Sequence, residues 1–364
     1  MTAPATALLD GRRTASISPL ISPSLLRAEH PLSPNGAERV ERARAEIVDV
    51  LNGHDDRLLV VVGPCSIHDR DAALDYAAKL AAVAERLSDR LVVVMRTYFE
   101  KPRTTLGWKG LINDPGLDGT YAVNKGLRLA RSLLLEVTEL GLPVGCEFLD
   151  PITPQYLADV VSWGSIGART AASQVHRQLC SALSMPVGIK NSVSGDVQVA
   201  VDAVRAAAGE HVFPGINADG LAALISTTGN PDCHVILRGG AGGPNHHAAD
   251  VAGALDRLDR AGLPRRIVID ASHGNSGKDP ARQALVASEI AGRLGGVDGQ
   301  RGERGIAGVM LESFLVGGRQ DLVMGRREDL VRGQSITDAC LDWGTTESLL
   351  EELADGVARR RRTR

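Results

Sequence analysis

Short apolar runs recur along the chain, and each of them ends in polar or charged residues. Eight such runs are rich in Val, Ile and Leu and lack a regular alternation of apolar and polar positions. Near-continuous runs of this length are typical of parallel β-strands that are buried on both faces. The eight runs span residues 58–66, 91–99, 142–150, 163–170, 186–191, 233–240, 266–273 and 306–313.

Between most of these runs, apolar residues recur with the 3.6-residue period of an amphipathic helix. Eight strands that alternate with helices predict an α/β fold, and specifically a (β/α)8 barrel. An open, doubly wound parallel sheet is the alternative that the same alternation allows. The predicted helices span residues 36–51, 72–87, 121–140, 174–183, 197–208 and 347–360.

Two further apolar runs interrupt this alternation. They span residues 211–217 and 221–228, and they flank the turn sequence Ala218-Asp219-Gly220. An Asp-Gly pair between apolar runs is typical of a hairpin. We therefore predict a β-ribbon at about 211–228, inserted before the sixth strand of the barrel.

The two ends of the chain differ in composition from the rest. Residues 1–37 are rich in Ser, Pro and Ala without strong periodicity, which predicts an arm. Residues 359–364 include five arginines and predict a solvated basic tail. We therefore divide the chain into an N-terminal arm and helix at 1–50 and a single barrel domain at 51–364.

Composition and charge narrow the classes of function. The 364 residues carry a net charge of −3, and their mean hydropathy is −0.04. No apolar run is long enough to span a bilayer, so no membrane partner is expected. The slightly acidic balance argues against a nucleic-acid partner. Five cysteines at wide spacing argue against a disulfide framework and predict a reducing compartment, the cytoplasm.

The carboxyl ends of the predicted strands carry a set of cations. Active-site residues of (β/α)8 barrels lie at these ends and in the loops that follow them. Like charges repel one another unless anions bind between them, and guanidinium groups match phosphate and carboxylate oxygens. We therefore predict a ligand with several negative charges, such as two phosphorylated molecules. The six cations are Arg96, Lys101, Arg103, Arg169, Lys190 and Arg238.

Lysine is scarce, since only six of the 41 basic residues are lysine. An ammonium group has a tunable pKa and a compact charge, so a lysine retained in such an arginine-rich chain hints at a specific role. Two of the six, Lys101 and Lys190, belong to the set of cations above. The six are Lys79, Lys101, Lys109, Lys125, Lys190 and Lys278.

A second set of residues near the same strand ends can bind a metal. A thiolate, an imidazole and two carboxylates together suit a divalent transition metal that polarises a substrate carbonyl. No local spacing identifies this site, so Cys65 as a core residue and His273 as a general base are alternatives. The four residues are Cys65, His273, Glu312 and Asp338.

Other chemically capable residues are predicted to be structural. His246 and His247 follow a glycine-rich segment, 239–243, and are predicted to be exposed. Three cysteines and one tryptophan lie inside apolar runs and are predicted to belong to the core. They are Cys146, Cys180, Cys233 and Trp163.

Seven motifs are spread over the chain in order. They are GPCSIHD at 63–69, KPRTTLGWKGLINDP at 101–115, GART at 167–170, SQVHR at 173–177, RGG at 238–240, SH at 272–273 and SITDAC at 335–340. Together they resemble the microbial type I 3-deoxy-D-arabino-heptulosonate 7-phosphate (DAHP) synthases, over residues from about 18 to 360. The resemblance implies a (β/α)8 barrel with an N-terminal extension and an inserted ribbon. It also implies condensation of phosphoenolpyruvate with erythrose 4-phosphate and release of phosphate, the first step of the shikimate pathway to aromatic amino acids.

The resemblance implies binding roles for individual residues. A divalent Mn, Fe, Co or Zn ion is implied to bind Cys65, His273, Glu312 and Asp338. Phosphoenolpyruvate is implied to bind Arg96, Lys101, Arg169, Lys190, Arg238 and the backbone of Ala168. Erythrose 4-phosphate is implied to bind residues 101–104, with Arg103 and Thr104 facing its phosphate.

Three residues are implied to act in the reaction itself: Lys101, Glu147 and His273. Lys101 is expected to protonate the developing alkoxide. Glu147 is expected to direct or deprotonate the attacking water, and His273 is expected to act as a metal ligand.

The resemblance also implies regulation and assembly. Relatives are often inhibited by Phe, Tyr or Trp, and they form homodimers or homotetramers in which the N-terminal arm reaches a neighbouring subunit. An effector pocket for an aromatic amino acid is therefore implied near the ribbon. Its residues are Gln155, Ser184, Phe213 and Ile225.

Two other functions are alternatives. A 3-deoxy-octulosonate 8-phosphate synthase shares the barrel and the chemistry, but resembles Lys-Ala-Asn-Arg-Ser where this chain has Lys-Pro-Arg-Thr at 101–104. A non-catalytic regulatory homologue is expected to lack a metal ligand or a phosphate-binding arginine, and this chain retains them all. The chain departs from the family at Phe314, where many relatives carry His, at Ala171 and Ala172, and at 192–195.

Overall fold

In a computed structural model, which describes residues 11–296 and 302–362, the eight predicted strands form a closed parallel barrel. The strands follow one another around the barrel in chain order, and the last pairs with the first, Glu312 lying opposite Gly63. Every residue of these strands is buried, which explains their near-continuous apolar sequences. They are β1 (Leu58–Gly63), β2 (Leu91–Arg96), β3 (Val144–Glu147), β4 (Trp163–Ile166), β5 (Val187–Lys190), β8 (His234–Leu237), β9 (Ile267–Asp270) and β10 (Ile306–Glu312). The predicted (β/α)8 barrel is confirmed.

Helices connect the strands of the barrel and precede and follow it. Their apolar faces pack on the outside of the barrel in one large core. The helices are α1 (Pro23–Glu29), α2 (Pro34–Asn52), α3 (Arg70–Arg86), α4 (Val123–Glu139), α5 (Pro154–Leu157), α6 (Gln174–Ala182), α7 (Gln198–Ala207), α8 (Ala248–Arg260), α9 (His273–Ser276), α10 (Pro280–Gly295) and α11 (Trp343–Arg362).

Helix α2 packs against the residues that fill the interior of the barrel. Ser33 caps its first turn by accepting the amide hydrogen of Gly36, and Gly53 ends it in a left-handed conformation. Ile47 and Val50 on its buried face join a core cluster with the inward-facing residues of β1 and β2. The charged residues lie at the other end of the barrel interior, away from α2, at the carboxyl ends of the strands.

The predicted ribbon is also confirmed. Strands β6 (Val212–Ile216) and β7 (Ala222–Ser226) pair antiparallel, with Phe213 opposite Ile225. Gly220 in the connecting turn has a φ of +78°, which favours glycine because it lacks a Cβ. A second small pair, β11 (Val316–Arg319) with β12 (Gln334–Ser335), forms in the segment after β10.

The ends of the chain are more ordered than the composition predicts. Helix α1 forms inside the predicted arm, where Ser22 caps its first turn and Leu26 is buried; residues 1–10 lie outside the described residues. The prediction of a solvated basic tail is wrong for Arg360, because helix α11 continues to residue 362 and buries that side chain, whereas Arg359 and Arg362 are exposed. Arg360 is buried and donates to the Asp56 carbonyl, and Arg361 pairs with the Asp56 carboxylate at 2.7 Å. Residues 363–364 of that tail are outside the described residues.

None of the helices among the described residues is both long enough and apolar enough to cross a membrane.

Candidate active site

A cavity of about 300 Å³ opens at the carboxyl ends of the barrel strands. Five of the six predicted cations line it, so the structure brings together residues that are widely separated in the sequence. Two acidic residues, Glu147 and Asp338, and His273 also line it. The five cations are Lys101, Arg103, Arg169, Lys190 and Arg238. A cavity that concentrates this much positive charge is suited to bind phosphate and carboxylate groups.

Arg96, the sixth predicted cation, is buried and is absent from the cavity's lining. Its Nη2 lies 3.0 Å from Oε1 of Glu312, and its Nε donates to the Pro64 carbonyl. The guanidinium stacks over the ring of Tyr98, with 3.5 Å between its central carbon and the ring centroid. Arg96 therefore compensates the buried charge of Glu312 and fixes that carboxylate in place.

Asp270, at the end of β9, links two of the predicted site residues. Its Oδ2 lies 3.0 Å from Nζ of Lys190 and 2.8 Å from Nδ1 of His273. Burial alone raises the pKa of Asp270, but the charges of His273 and Lys190 and a hydrogen bond from Ser272 hold it well below its ordinary value. The anionic Asp270 thus orients an imidazole and an ammonium group that face the cavity. No role was predicted for Asp270 from the sequence.

The four predicted metal ligands converge in the structure. One ligand atom from each of Cys65, Glu312 and Asp338 lies within 4.8 Å of the others. The fourth, His273, has Nε2 at 3.6 Å from Oε1 of Glu312. His273 has a φ of +50°, which is uncommon for a residue other than glycine and recurs at functional sites. This donor set fits a divalent transition ion.

The charges around this donor set keep its two carboxylates ionised. Burial raises the pKa of the Cys65 thiol, as does the neighbouring Glu312, although Lys101 donates to its Sγ at 2.8 Å. Burial also works against ionisation of Asp338, but Lys101 and Lys278 outweigh it and lower its pKa to about 2. The pKa of Glu312 is lowered as well, since His273 and Arg96 outweigh its burial. Two carboxylates are thus ionised beside a thiol that a metal ion would deprotonate.

Glu147 reaches the cavity because its neighbour lacks a side chain. A Cβ placed on Gly167 would lie 2.3 Å from Oε1 of Glu147. Only glycine therefore allows the carboxylate to lie across the end of β4. In the same loop after β4, Arg169 donates to the Thr104 hydroxyl at 3.1 Å and joins that loop to the loop after β2.

The sequence was compared with known families and proteins. The family model described as the DAHP synthetase I family matches residues 31–351. This chain belongs to the DAHP synthetase I family. Phospho-2-dehydro-3-deoxyheptonate aldolase of Corynebacterium glutamicum is 54% identical over 96% of this chain and 95% of its own length. The Phe-sensitive enzyme of that name from Escherichia coli K12 is 51% identical over 97% of this chain and 98% of its own length.

A solved structure supports the same assignment to the DAHP synthetase I family. The structure of phospho-2-dehydro-3-deoxyheptonate aldolase from Francisella tularensis SCHU S4 matches with a TM-score of 0.91 at 48% identity. The match covers 95% of this chain and 99% of that one.

Two residues of this family member's site were missed from the sequence. Lys278 lines the cavity and donates to Asp338 at 3.0 Å; it was among the six scarce lysines, which was the only signal for it. Glu100 lies beneath the cavity and accepts the backbone N–H groups of Leu149 and Asp150, so it joins the loops after β2 and β3. Burial, and then the charge of Asp150, raise the pKa of Glu100 to about 8.

The residues implied for an effector pocket lie in three places. Phe213 and Ile225 are half-buried partners in the ribbon. Gln155 is on α5, and its carbonyl accepts a hydrogen bond from Arg27 of α1 at 2.6 Å. Ser184 is exposed between α6 and β5.

Burial corrects one prediction and confirms another. His246 is buried, so its predicted exposure is wrong, whereas His247 is exposed. The three cysteines and the tryptophan that were predicted to be core residues are all buried. Among the departures from the family, Phe314 is buried in the core that the barrel shares with its helices, and its ring centroid lies 6.2 Å from that of Tyr76 on α3.

Proposed function

We propose that this chain is a 3-deoxy-7-phosphoheptulonate synthase, which condenses phosphoenolpyruvate with erythrose 4-phosphate and releases phosphate. The relatives of the chain carry the corresponding aldolase name over nearly their full length. In the chain itself, the supporting observation is that one cavity joins five cations to a metal-capable group of Cys, Glu and Asp. Two anionic substrates and one Lewis acid are what this condensation requires.

Phosphoenolpyruvate is proposed to bind on the side of the cavity formed by β4, β5 and β8. Arg169, Lys190 and Arg238 line that side, and the Ala168 backbone lies beside them. Lys190 is held by Asp270, so its ammonium group is positioned before the substrate arrives. Arg96 is proposed to act on the phosphoenolpyruvate site from beneath the cavity, because it fixes Glu312 and the backbone at Pro64.

Erythrose 4-phosphate is proposed to bind along the loop after β2. Arg103 and Thr104 line the cavity there, and Thr104 is held by Arg169 of the opposite wall. In this arrangement the phosphate group of erythrose 4-phosphate lies at the mouth of the cavity. Its aldehyde then lies near Lys101 and the metal-capable group.

Cys65, His273, Glu312 and Asp338 are the residues proposed to hold the metal. When bound, a divalent Mn, Fe, Co or Zn ion supplies Lewis-acid polarisation of the aldehyde oxygen. His273 is oriented for this role by the contact of its other ring nitrogen with Asp270.

Lys101 is proposed as the proton donor to the oxygen of the former aldehyde. Its ammonium group is buried; although burial disfavours the charge, the neighbouring Cys65 and Glu312 outweigh it and raise the pKa of Lys101. Lys101 is therefore protonated at neutral pH and lies where negative charge develops. Glu147 is proposed to direct the water that adds to the phosphoenolpyruvate carbon before phosphate is lost.

Phosphate release from phosphoenolpyruvate tests this function. We expect release only when erythrose 4-phosphate is present, loss of release with a chelator, and recovery when a divalent metal is added. Release with a five-carbon sugar phosphate but not with erythrose 4-phosphate would instead support the octulosonate synthase. No release with any of the four metals would support the non-catalytic homologue.

The role of Lys101 is tested by Lys101→Met at saturating substrates and metal. We expect a loss of turnover of about 100-fold or more, as is typical of general acid catalysis. Lys79→Met is the matched control, because Lys79 lies far from the cavity lining, over the ring of Trp343. Turnover of Lys101→Met within tenfold of wild type would remove Lys101 from the proton transfer.

We further propose that an aromatic amino acid inhibits the enzyme through Gln155, Ser184, Phe213 and Ile225. The Escherichia coli relative is named Phe-sensitive, which supports an effector of this class. A homodimer or homotetramer is proposed as well, since the ribbon exposes Val212, Leu221 and Leu224 beside α1.

A cytoplasmic location is proposed from the five cysteines, which are all unpaired and buried.

A further inference from the structure

A second group of metal-capable side chains lies where the segment after β8 meets helix α10. His246 and His247 end the segment that begins at Arg238, and Glu289 projects from α10. One ligand atom from each of His246, His247 and Glu289 lies within 4.8 Å of the others. These three described residues are absent from the lining of the cavity, so the group is separate from the proposed active site.

The geometry of this group is close to that of a metal site. Nδ1 of His246 lies 3.7 Å from Oε2 of Glu289, and Nδ1 of His247 lies 3.6 Å from Oε1. The centroids of the two imidazole rings are 4.1 Å apart. Ligand atoms that bind a tetrahedral Zn²⁺ at about 2.0–2.2 Å are themselves about 3.4 Å apart. Both histidine–carboxylate distances are therefore within a few tenths of an ångström of the spacing that a shared ion requires.

The buried histidine has a nitrogen that the rest of the structure does not use. Only 4% of the His246 side chain is exposed, and its Nδ1 has no hydrogen-bond partner among the described residues. A buried polar atom without a partner is rare and points to a bound ion or water.

The charges that surround the group leave Glu289 available to an ion. Arg293 is the nearest cation, but Glu303 binds it through two hydrogen bonds of 2.9 and 2.7 Å. Arg293 lies 4.0 Å from Glu289 and also donates to the carbonyl of His246, which holds that residue in place. Asp250, in the first turn of α8, adds negative charge on the other side.

We propose that His246, His247 and Glu289 form a second metal site, which takes Zn²⁺ or a divalent ion of similar chemistry. Two imidazoles and one carboxylate suit such an ion and leave a fourth position for water. The site joins the end of the segment after β8 to α10. Since Asn245 of that segment accepts the amide hydrogen of Gly239 and donates to Asn191, the bound ion also stabilises the backbone next to Arg238.

Equilibrium dialysis of the full chain against buffered Zn²⁺, followed by metal analysis, tests the proposal. The wild type is expected to bind one equivalent per chain more than His247→Ala or Glu289→Gln. Both substituted side chains are about half exposed, at 54% and 44%, so neither change disturbs the core. Where the second equivalent is still detected in a variant, its affinity is expected to be at least about tenfold lower.

His54→Ala is the matched control for this experiment. His54 is exposed and lies 3.5 Å from the Asp49 carboxylate, and no third metal-capable residue joins this pair among the described residues. The control is expected to bind as many equivalents as the wild type. Equal stoichiometry and affinity in the wild type, the control and both variants would overturn the second site. Because that result leaves binding at Cys65 unaffected, it would not bear on the proposed synthase activity.

Discussion

Ion pairs of nearly identical length occur in two very different regions of this molecule. Arg96 lies 3.0 Å from Glu312 beneath the cavity, where 2% and 3% of the two side chains are exposed. Arg86 of α3 lies 3.0 Å from Glu347 of α11 on the outer surface, where 48% of the arginine side chain is exposed. The residue types and distances match, and only the environment differs.

The two pairs differ in burial, and burial rather than pairing sets how strongly each ion depends on its partner. Taking ions out of water costs free energy, and a buried pair remains favourable only when each ion keeps its partners. The exposed pair exchanges contacts with water at little cost or gain. Buried pairs such as Arg96 with Glu312 and Lys190 with Asp270 therefore cost stability. A role in ligand binding explains why they are retained.

Arg96→Leu, which removes the buried cation, is expected to have the largest effect on stability and on phosphate release. It leaves the Glu312 carboxylate buried without its guanidinium, so the free energy of unfolding is expected to fall by about 3–5 kcal/mol. Phosphate release is expected to fall by at least about 100-fold, because Glu312 is no longer held among the metal-capable residues. Denaturant unfolding of the metal-free protein and the phosphate assay measure the two effects.

Arg96→Lys is the control for that experiment. It keeps a positive charge but loses the guanidinium, whose Nη2 donates to Glu312 and whose Nε donates to the Pro64 carbonyl. A smaller loss of stability than in Arg96→Leu is expected. A loss below about 1 kcal/mol for Arg96→Leu, as for a surface pair, would show that burial does not separate the two regions.

Glu100 is a buried carboxyl that accepts hydrogen bonds from the backbone of Leu149 and Asp150 and from Thr153, with no cation among these partners. Burial raises its pKa from an ordinary 4.5 to about 8. Between these two values the unfolded chain loses the proton while the folded chain keeps it, so stability falls as pH rises through this window. Glu100→Gln removes the titration. The free energy of unfolding of the variant, relative to wild type, is expected to rise by up to about 1.4 kcal/mol per pH unit between about pH 5 and 8.

Denaturant unfolding at pH 5, 6, 7 and 8 measures this difference. Glu351→Gln is the control, because Glu351 is an exposed carboxyl that pairs with Arg86 and should give a nearly constant difference over the same range. Parallel profiles for wild type and Glu100→Gln would mean that Glu100 is ionised in the folded protein.

The barrel and most of the candidate site could be predicted from sequence for one physical reason. Strands buried on both faces have near-continuous apolar sequences, so their ends are easy to locate, and parallel barrel strands bring those ends to one side. Lys101, Arg169 and Lys190 therefore come together in the cavity as predicted. The identity of the substrates, by contrast, came from the resemblance of whole motifs to a known family.

The parts that sequence could not predict depend on contacts between distant elements. Arg360 belongs to a run of arginines that is typical of a solvated tail, yet it packs against the loop before β1 and donates to Asp56. His246 follows a glycine-rich segment, yet it packs beside α10 and is buried. No local pattern encodes these contacts, because each depends on where another element passes in the folded barrel.

Removal of the exposed Arg86–Glu347 pair is expected to have the smallest effect on stability. Arg86→Ala removes contacts with Glu347 at 3.0 Å and Glu351 at 2.6 Å, and all three side chains are largely solvated. The free energy of unfolding is expected to fall by less than about 1 kcal/mol, and the difference is expected to shrink further in high salt, which screens surface charges. Denaturant unfolding in low and high salt measures it, with phosphate release expected to remain unchanged. A loss as large as that of Arg96→Leu would show that α3 and α11 depend on their ion pairs rather than on the apolar faces between the helices and the barrel.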